Sequence, residues 1–254
     1  MTPRLHVPGL LLSAQAILDL PPGPARHAQV LRLQPGDALT LFDGTGGQWQ
    51  AQVAAMGRKD VSVQVLAHQP GDPLELPHTV TLAVGMPAND RMDSLVEKAT
   101  ELGVFAIQPL MSARSVLRLD GERAAKKVAH WQSVAEAASE QSGRTRVPLI
   151  HPVMTLKAWL PTADATWRRG MLDFAPQLQV GEWLSNPASP APLLFLSGPE
   201  GGLNPEEVQQ CVQAGWTPVG LGPRILRADT APLMALSLVA GLSQRCNTLF
   251  VSTG

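Results

Sequence analysis

From residue 79 onward, short apolar runs alternate with segments of helical hydrophobic period, and this alternation constrains the fold more than any other feature of the sequence. Strands are predicted at 79–84, 104–110, 171–174, 193–196 and 217–221. Helices are predicted at 92–102 (capped by Asn89 or Asp90), 122–141, from Pro205 onward, and 231–245. Because alternating strands and helices form parallel sheets, we expect an α/β domain here.

The N-terminal residues follow a different pattern. Strand-like runs at 38–42, 49–53 and 61–65 are separated by turn signals, and a short helix is predicted at 25–31. This pattern predicts a small β-barrel. The segment 69–73, rich in proline and glycine, reads as a linker. We therefore predict two domains, residues 1–72 and residues 73–254.

The composition excludes some classes of function. Of 254 residues, 44% are hydrophobic and 16% charged, and the formal net charge is -1. These values are typical of a folded globular protein and exclude a strongly basic clamp for nucleic acid. Locally, residues 113–147 hold seven Arg or Lys against four Asp or Glu. Such a basic face suits a selective RNA binder, although a solvated helix face would have the same charge.

Membrane and metal partners are not expected. The longest apolar run, 233–242, is about half of the roughly 20 residues that a membrane span needs. Cys211 and Cys246 cannot form a zinc cluster alone, and we expect both to be buried and reduced. The sequence therefore predicts a cytoplasmic protein.

Two glycine-bearing loops follow predicted strands and precede predicted helices. The first, Ser197-Gly198-Pro199-Glu200-Gly201-Gly202, leads into a helix with the capping signals Asn204, Pro205 and Glu207. Its glycines allow close approach of the backbone to a ligand, although a tight turn would also explain them. The spacing is neither G-x-G-x-x-G nor a P-loop, which disfavours a dinucleotide or nucleoside triphosphate site.

The second loop, residues 221–232, carries Arg224, Arg227 and Asp229 between apolar elements. A salt bridge that only holds the loop is the alternative to a chemical role. Ligands of α/β folds bind at the carboxyl ends of strands, so the two loops are predicted to share a pocket.

Two further segments complete an ordered set of motifs. One runs from Arg91 through Lys98-Ala99-Thr100-Glu101-Leu102-Gly103-Val104, and the other is Glu136-Ala137-Ala138-Ser139-Glu140-Gln141-Ser142-Gly143-Arg144. The second segment can also be explained as the C-terminal cap of a helix, in which Gly143 adopts the left-handed backbone conformation. Together with Gly198-Pro199-Glu200-Gly201-Gly202 and Leu221-Gly222-Pro223-Arg224-Ile225-Leu226-Arg227, in this order, they resemble the RsmE family. These are 16S ribosomal RNA uracil-N3 methyltransferases of the SPOUT superfamily, and the resemblance covers nearly the whole chain.

The resemblance implies a fold, a cofactor and partners. The N-terminal domain would be a PUA-like RNA-binding β-barrel, and the C-terminal domain a SPOUT α/β domain with a trefoil knot. The enzyme would use S-adenosyl-L-methionine to methylate N3 of one uridine of 16S rRNA, the U1498-type site, on the assembled small ribosomal subunit. It would be a homodimer. The residues expected at the cofactor are Leu172, Ser197, Gly198, Glu200, Gly201, Gly202, Leu221, Gly222, Ile225, Leu226 and Thr230.

Roles in catalysis and RNA binding follow from the chemistry of uracil. N3 carries a proton that must leave before its lone pair can react, and a carboxylate can accept it. Asp229 is the first candidate base and Glu200 the second. Arg227 or Arg224 would stabilise the negative charge that develops on O2 and O4. The arginines expected to contact RNA are Arg4, Arg26, Arg32, Arg91, Arg114, Arg144 and Arg224.

Three departures from the family pattern leave other functions open. The family commonly has Glu at the position of Asp229, residues 163–189 match poorly, and the chain contains no tyrosine. One alternative is a SPOUT enzyme acting on another RNA or another atom. Another is a non-catalytic RNA-binding protein with the same fold. A small-molecule dehydrogenase is a distant third, because the dinucleotide fingerprint is absent.

Overall fold

The computed structural model describes residues 2–10, 12–58, 60–88, 91–176, 178–185 and 191–248. Contacts divide the chain into two compact units. Unit 1 comprises Met1–Glu75 and Glu136–Val147, and unit 2 comprises Leu76–Ala135 and Pro148–Gly254. The domain limits 1–72 and 73–254 stay a prediction.

Unit 1 contains a five-stranded sheet in the order β1-β3-β4-β5-β2. Its strands are β1 Arg4–His6, β2 Ile17–Asp19, β3 Ala38–Phe42, β4 Gln48–Met56 and β5 Val61–Gln69. Only the β1–β3 pair is parallel. Val61, Val63 and Val65 alternate with less buried residues, so that one face of β5 enters the core. The three predicted strands are confirmed, with β4 and β5 longer than expected.

Helix α1, Pro22–Val30, packs Ala25 and Ala28 into the core of unit 1. It ends in a Schellman motif, in which the Leu33 N–H donates to Ala28 O (3.2 Å) and the Arg32 N–H donates to Gln29 O (3.0 Å). Arg32 therefore has a left-handed backbone, with φ of +57°. Glycine is the usual residue here, so this arginine occupies an unfavourable position.

Unit 2 contains a parallel sheet in the order β11-β13-β10-β12-β6-β7-β8, with β9 also pairing with β7. Its strands are β6 Val80–Gly85, β7 Ala106–Met111, β8 Leu149–Ile150, β9 Met154–Thr155, β10 Arg168–Leu172, β11 Leu178–Gln179, β12 Leu193–Ser197 and β13 Thr217–Gly220. All residues of β6 and β12 are buried, as expected for parallel strands covered on both faces. The predicted α/β fold is confirmed.

The remaining helices are α2 Arg91–Glu101, α3 Gly121–Ser142, α4 Leu156–Trp159, a 3-10 turn at Leu160–Thr162, α5 Val180–Ser185, α6 Pro205–Gln213 and α7 Thr230–Thr248. Of these, α2, α3, α6 and α7 lie close to the predicted helices, whereas the sequence did not predict α4, the 3-10 turn or α5. Residues Met92, Leu95, Val96 and Ala99 of α2 are buried, and Gly103 follows the helix with φ of +93°. The predicted caps Asn89 and Asp90, and also Cys246, lie outside the residues whose side chains are described. Cys211 is buried and free, and burial raises its thiol pKa to about 12.

One strand lies earlier than predicted. The expected strand at 171–174 is β10, Arg168–Leu172, between β12 and β13 near the middle of the sheet. Its first two residues, Arg168 and Arg169, are charged, so the hydrophobic pattern of the sequence does not indicate that the strand begins there. The structure accommodates both: the Arg168 guanidinium stacks on Trp183 and that of Arg169 lies 6.0 Å from the Trp216 ring. Among the described residues, no helix is long and apolar enough to cross a membrane.

Candidate active site

Three loops meet at one edge of the parallel sheet in unit 2. They follow β10, β12 and β13, which are adjacent and parallel, so their carboxyl ends lie side by side. A cavity of about 630 Å³ opens there. It is lined by Arg91, Arg114, Met171, Leu172, Asp173, Phe174, Ser197, Gly198, Pro199, Glu200, Gly201, Gly202, Leu203, Val208, Val219, Leu221, Gly222, Pro223, Arg224, Ile225, Leu226, Arg227, Ala228 and Ala231. This is the shared pocket that the two glycine loops predict.

Close backbone packing explains the glycines of the loop after β12. A Cβ atom on Gly198 would lie 2.8 Å from Leu203 N, and a Cβ on Gly85 would lie 2.5 Å from Pro199 N. Gly202 has φ of +67°, and its N–H donates to Pro199 O at 2.8 Å. Side chains at these positions would force the loop to move, so the glycines fix its path beside the cavity.

The capping signals after this loop are confirmed. The Glu207 N–H donates to Asn204 Oδ1 (2.7 Å) and the Asn204 N–H donates to Glu207 Oε2 (2.9 Å), which completes a capping box on α6. Glu207 Oε1 also accepts a hydrogen bond from the Ala113 N–H at 2.8 Å. The helix start thereby anchors both the glycine loop and the segment after β7.

Glu200 connects the loop to the segment that precedes α2. Its Oε1 accepts hydrogen bonds from the Ala88 N–H at 2.9 Å and from Arg91 Nη1 at 3.5 Å. On the other side, Arg114 Nη1 donates to Gly201 O at 2.8 Å. These contacts favour a positioning role for Glu200 over the role of second candidate base. Arg91 and Arg114, predicted as RNA contacts, lie in the cavity wall and hold the loop.

The loop after β13 presents open backbone and basic side chains. Gly222 has φ of +88°, and a Cβ atom there would meet nothing within 4 Å. Its N–H donates to Gln179 Oε1 at 2.9 Å. Arg224 and Arg227 are exposed and line the cavity, and Ile225 is 84% exposed.

Asp229 stands directly before α7, between the cavity-lining residues Ala228 and Ala231. Its Oδ1 is buried and has no hydrogen-bond partner among the described residues. A buried carboxylate oxygen without a partner is uncommon and costly, so it indicates a group that is missing from the chain itself. Neither Asp229 nor Thr230 is part of the cavity wall.

Besides the two glycine loops, the end of β10 and the segment after it form a third wall of the cavity. Leu172 was the one residue predicted there. Met171, Leu172, Asp173 and Phe174 all line the cavity. The Asp173 N–H donates to Val219 O at 3.1 Å, and Asp173 Oδ1 accepts from the Phe174 N–H at 2.6 Å. Phe174 is 72% exposed, which provides an aromatic face at the rim that the sequence did not reveal. The predicted strand at 171–174 ended two residues too late and so placed Asp173 and Phe174 within the strand instead of in the loop that follows it.

The arginines predicted to contact RNA differ in where they lie and in how exposed they are. Arg91, Arg114 and Arg224 line the cavity of unit 2, whereas Arg26 and Arg32 are exposed in unit 1. Arg144 is only 3% exposed, and its Nε and Nη2 donate to the carboxylate of Glu75 at 3.0 and 2.5 Å. This bidentate pair gives Arg144 a structural role, and its burial keeps it from contacting RNA.

Comparison with known proteins assigns the family. The family model for an RNA methyltransferase domain matches residues 74–240, and the model for an RNA methyltransferase PUA domain matches residues 25–66. The chain belongs to this RNA methyltransferase family. Every cavity-lining residue lies within the span of the first match. Among the described residues, no group of three His, Cys, Asp or Glu could hold a metal ion.

Two similar proteins with known names belong to one group within this family. The ribosomal RNA small subunit methyltransferase E of Bacillus subtilis is 33% identical over 217 residues, which cover 83% of this chain and 84% of that protein. The protein of the same name from Mycobacterium tuberculosis is 32% identical, with coverage of 86% and 83%. The RsmE resemblance of the sequence is thus confirmed.

Two solved structures have the same fold over nearly the whole chain. One is a ribosomal RNA small subunit methyltransferase E from Neisseria gonorrhoeae bound to S-adenosyl methionine, with a TM-score of 0.89, 37% identity, and coverage of 95% of this chain and 98% of that one. The other is the putative methyltransferase Lpg2936 from Legionella pneumophila with bound SAM, with a TM-score of 0.87, 30% identity, and the same coverage.

Proposed function

We propose that this chain transfers the methyl group of S-adenosylmethionine to N3 of one uridine of 16S rRNA, within the small ribosomal subunit. The cavity at the carboxyl ends of β10, β12 and β13 carries this proposal. The names of the relatives and the cofactor bound in two similar structures support it. The position of the uridine and the requirement for an assembled subunit come from the family resemblance. The trefoil knot likewise stays a prediction.

The cavity suits this cofactor. At Gly202 and Gly222 a Cβ atom would meet nothing, so a ligand can approach the backbone closely there, although both N–H groups already donate within the chain, to Pro199 O and Gln179 Oε1. Apolar side chains of Leu172, Leu221 and Leu226 complete a pocket suited to a purine ring. The residues that would hold it are Leu172, Ser197, Gly198, Gly201, Gly202, Leu221, Gly222, Ile225 and Leu226, with Glu200 positioning the loop. S-Adenosylmethionine, when bound, supplies an activated methyl group on a sulfonium.

Asp229 is the proposed base. Its carboxylate, which stands between the cavity-lining residues Ala228 and Ala231, would accept the N3 proton of the bound uracil, and its buried Oδ1 has no other partner among the described residues. The guanidinium of Arg227 lines the cavity and would stabilise the charge that moves to O2 and O4 as the proton leaves. Because this mechanism needs only alignment and one proton acceptor, it requires no metal ion.

N3 lies on the pairing edge of uracil, so the target base must be unpaired or flipped out of its helix. Arg91, Arg114 and Arg224 at the cavity, with Arg4, Arg26 and Arg32 in unit 1, are the proposed RNA contacts. With a net charge of -1, phosphate attraction alone is modest, which favours recognition of the shape of a subunit. We further propose a homodimer, supported by the exposed apolar side chains of Phe174 and Ile225 at the rim.

The proposal is tested on 16S rRNA from cells that lack this protein. Their rRNA is expected to lack one 3-methyluridine, as measured by mass spectrometry of nuclease digests. Expression of the wild-type chain should restore it, whereas the Asp229→Asn chain, produced at an equal level, should not. If 3-methyluridine is present without the protein, or if another nucleoside disappears, the proposed reaction is wrong.

A further inference from the structure

Unit 1 contains a second cavity, of about 480 Å³, with no part in the site described above. Its wall is formed by the start of the chain, β3, β4, the linker and the C-terminal end of α3. Hydroxyl and amide side chains predominate in it: Thr40, Gln48, Gln69, Gln141, Ser142 and Thr145. Gln48 already bonds to Arg4 and Gln69, and Thr145 to Asp72, so Thr40, Gln141 and Ser142 are the side chains of this set that offer neutral donors and acceptors to a ligand.

Two residues in this wall carry buried polar atoms that lack a partner. Arg4 Nε and Ser142 Oγ are inaccessible to solvent and have no hydrogen-bond partner among the described residues. Buried polar atoms nearly always find one, and leaving them without it destabilises the fold. Two such atoms in residues of one cavity wall indicate that a polar ligand completes the site.

The fixed position of Arg4 disfavours an anion as this ligand. Arg4 Nη1 donates to Gln48 Oε1 at 2.5 Å and Nη2 donates to Arg144 O at 3.0 Å, and the guanidinium lies 5.0 Å from the Phe42 ring centroid. Nε and one N–H on each Nη have no acceptor among the described residues, but Arg4 is the one charged side chain among the described residues of the cavity wall. A phosphate group would therefore meet a single cation here, already engaged by Gln48, Arg144 O and the Phe42 ring.

The other side of the cavity is apolar. Leu74, 61% exposed, lies in the wall together with Pro70 and Pro73. A wall that combines apolar surface with neutral amides and hydroxyls matches a nucleobase, which has apolar faces and an edge of alternating donors and acceptors.

We propose that this cavity binds one unpaired nucleobase of the RNA substrate, in addition to the base that is methylated. That the base belongs to 16S rRNA rests on the proposed function, whereas binding of a base in the cavity does not. Gln141 and Ser142 at the end of α3 would hydrogen-bond the base edge, and Leu74 would contact its face.

The first test uses the purified chain and simple probes. Uridine, cytidine, adenosine and guanosine are each titrated to millimolar concentration, and amide shifts are followed by NMR. The proposal predicts saturable shifts for Gly71, Leu74, Gln141 and Ser142 with at least one nucleoside, and none with inorganic phosphate or ribose 5-phosphate. Shifts with phosphate alone, or no shift with any nucleoside, would overturn it.

The second test compares Ser142→Ala with Ser133→Ala, an exposed serine of the same helix. Ser142→Ala should raise KM for small subunits about three- to tenfold, as expected for one lost hydrogen bond, with kcat and the Kd for S-adenosylmethionine unchanged. Its melting temperature should be equal or higher, because an unpartnered hydroxyl has been removed, whereas a structural serine would give a lower one. Gln141→Ala, at an exposed position, should likewise raise KM.

These outcomes separate the two proposals. If the wild-type chain methylates subunits but both variants have its KM, the base-binding cavity is wrong and the proposed function stands. If the wild-type chain does not methylate subunits, the proposed function is wrong, and the nucleoside titration still decides whether the cavity binds a base.

Discussion

Asp229 places a buried, unpartnered carboxylate oxygen next to the candidate active site. Asp229→Asn keeps the shape of the side chain and removes its ability to accept a proton. We expect kcat to fall about 10²- to 10³-fold, within the usual range for a lost general base. The Kd for S-adenosylmethionine, measured by calorimetry, should change less than about twofold, because Asp229 itself does not line the cavity and asparagine keeps its shape.

Asp164→Asn is the matched control, since the Asp164 carboxylate bonds to its near neighbours in sequence, Thr166 and Trp167, and does not line the cavity. It should leave kcat unchanged. Turnover of Asp229→Asn close to that of the control would mean that Asp229 is not the base.

Arg32 is a second residue whose local geometry makes a prediction, because its φ of +57° suits glycine. Arg32→Gly and Arg32→Ala remove the same charge, but only glycine relieves the left-handed backbone. The free energy of unfolding of the glycine variant, from urea titration, should exceed that of the alanine variant by about 0.5–1 kcal/mol.

Both Arg32 variants should bind small subunits more weakly, and to the same extent, if the guanidinium contacts RNA. Equal stabilities would contradict the argument from backbone strain. Binding equal to wild type would remove Arg32 from the RNA contacts.

At the scale of elements, Asp72 fastens the linker within unit 1. Its carboxylate accepts hydrogen bonds from Thr145 Oγ1 (2.5 Å), the Gly47 N–H (2.9 Å) and Arg146 Nε (2.9 Å). Burial alone would raise the pKa of Asp72, but these bonds and the Arg146 charge hold the pKa below its usual value of 3.8. A carboxylate with a lowered folded-state pKa stabilises the protein fully above its unfolded pKa, and this stabilisation is lost as the pH falls through the folded value.

Asp72→Asn should therefore be less stable than wild type at pH 7, and the difference should narrow as the pH falls below about 4. Urea unfolding at several pH values measures this. Asp60→Asn, at an exposed position, is the control and should show little difference at any pH. If the difference in free energy of unfolding between wild type and Asp72→Asn stays constant down to pH 2, the ionic role of Asp72 is wrong.

Elements encoded by local signals could be predicted from the sequence, and those that depend on distant residues could not. Strand β3 lies at 38–42 as predicted, and the capping box of α6 was visible in Asn204 and Glu207. Strand β10 was misplaced because its charged first residues are accommodated by Trp183 and Trp216, which are far away in sequence.

The site shows the same division. The glycines of both loops marked the cavity, since glycine spacing is a local signal. The exposure of Phe174 and the pairing of Arg144 with Glu75, 69 residues apart, depend on tertiary structure and left no trace in the local sequence.

At the scale of the whole molecule, the proposed homodimer makes a prediction of its own. Ile225 is 84% exposed at the cavity rim, which is unusual for a large apolar side chain in a monomer. Light scattering should give twice the 27.1 kDa mass of one chain. Ile225→Asp should reduce this toward a single chain, because it places a charge in an apolar interface. Ile17→Asp, at a 67% exposed position of unit 1, is the control and should leave the mass unchanged. A monomeric wild-type chain would contradict the proposal.

In the proposed function, the cavity beside the two glycine loops serves methyl transfer to N3 of a single uridine. The most direct measurement uses the purified chain, labelled S-adenosylmethionine and small ribosomal subunits that lack this modification, with naked 16S rRNA and tRNA in parallel. We expect one labelled methyl group per subunit, recovered by mass spectrometry as 3-methyluridine at one position, and much slower labelling of the other RNAs. Label on another nucleoside, or preferred labelling of tRNA, would contradict the proposed function.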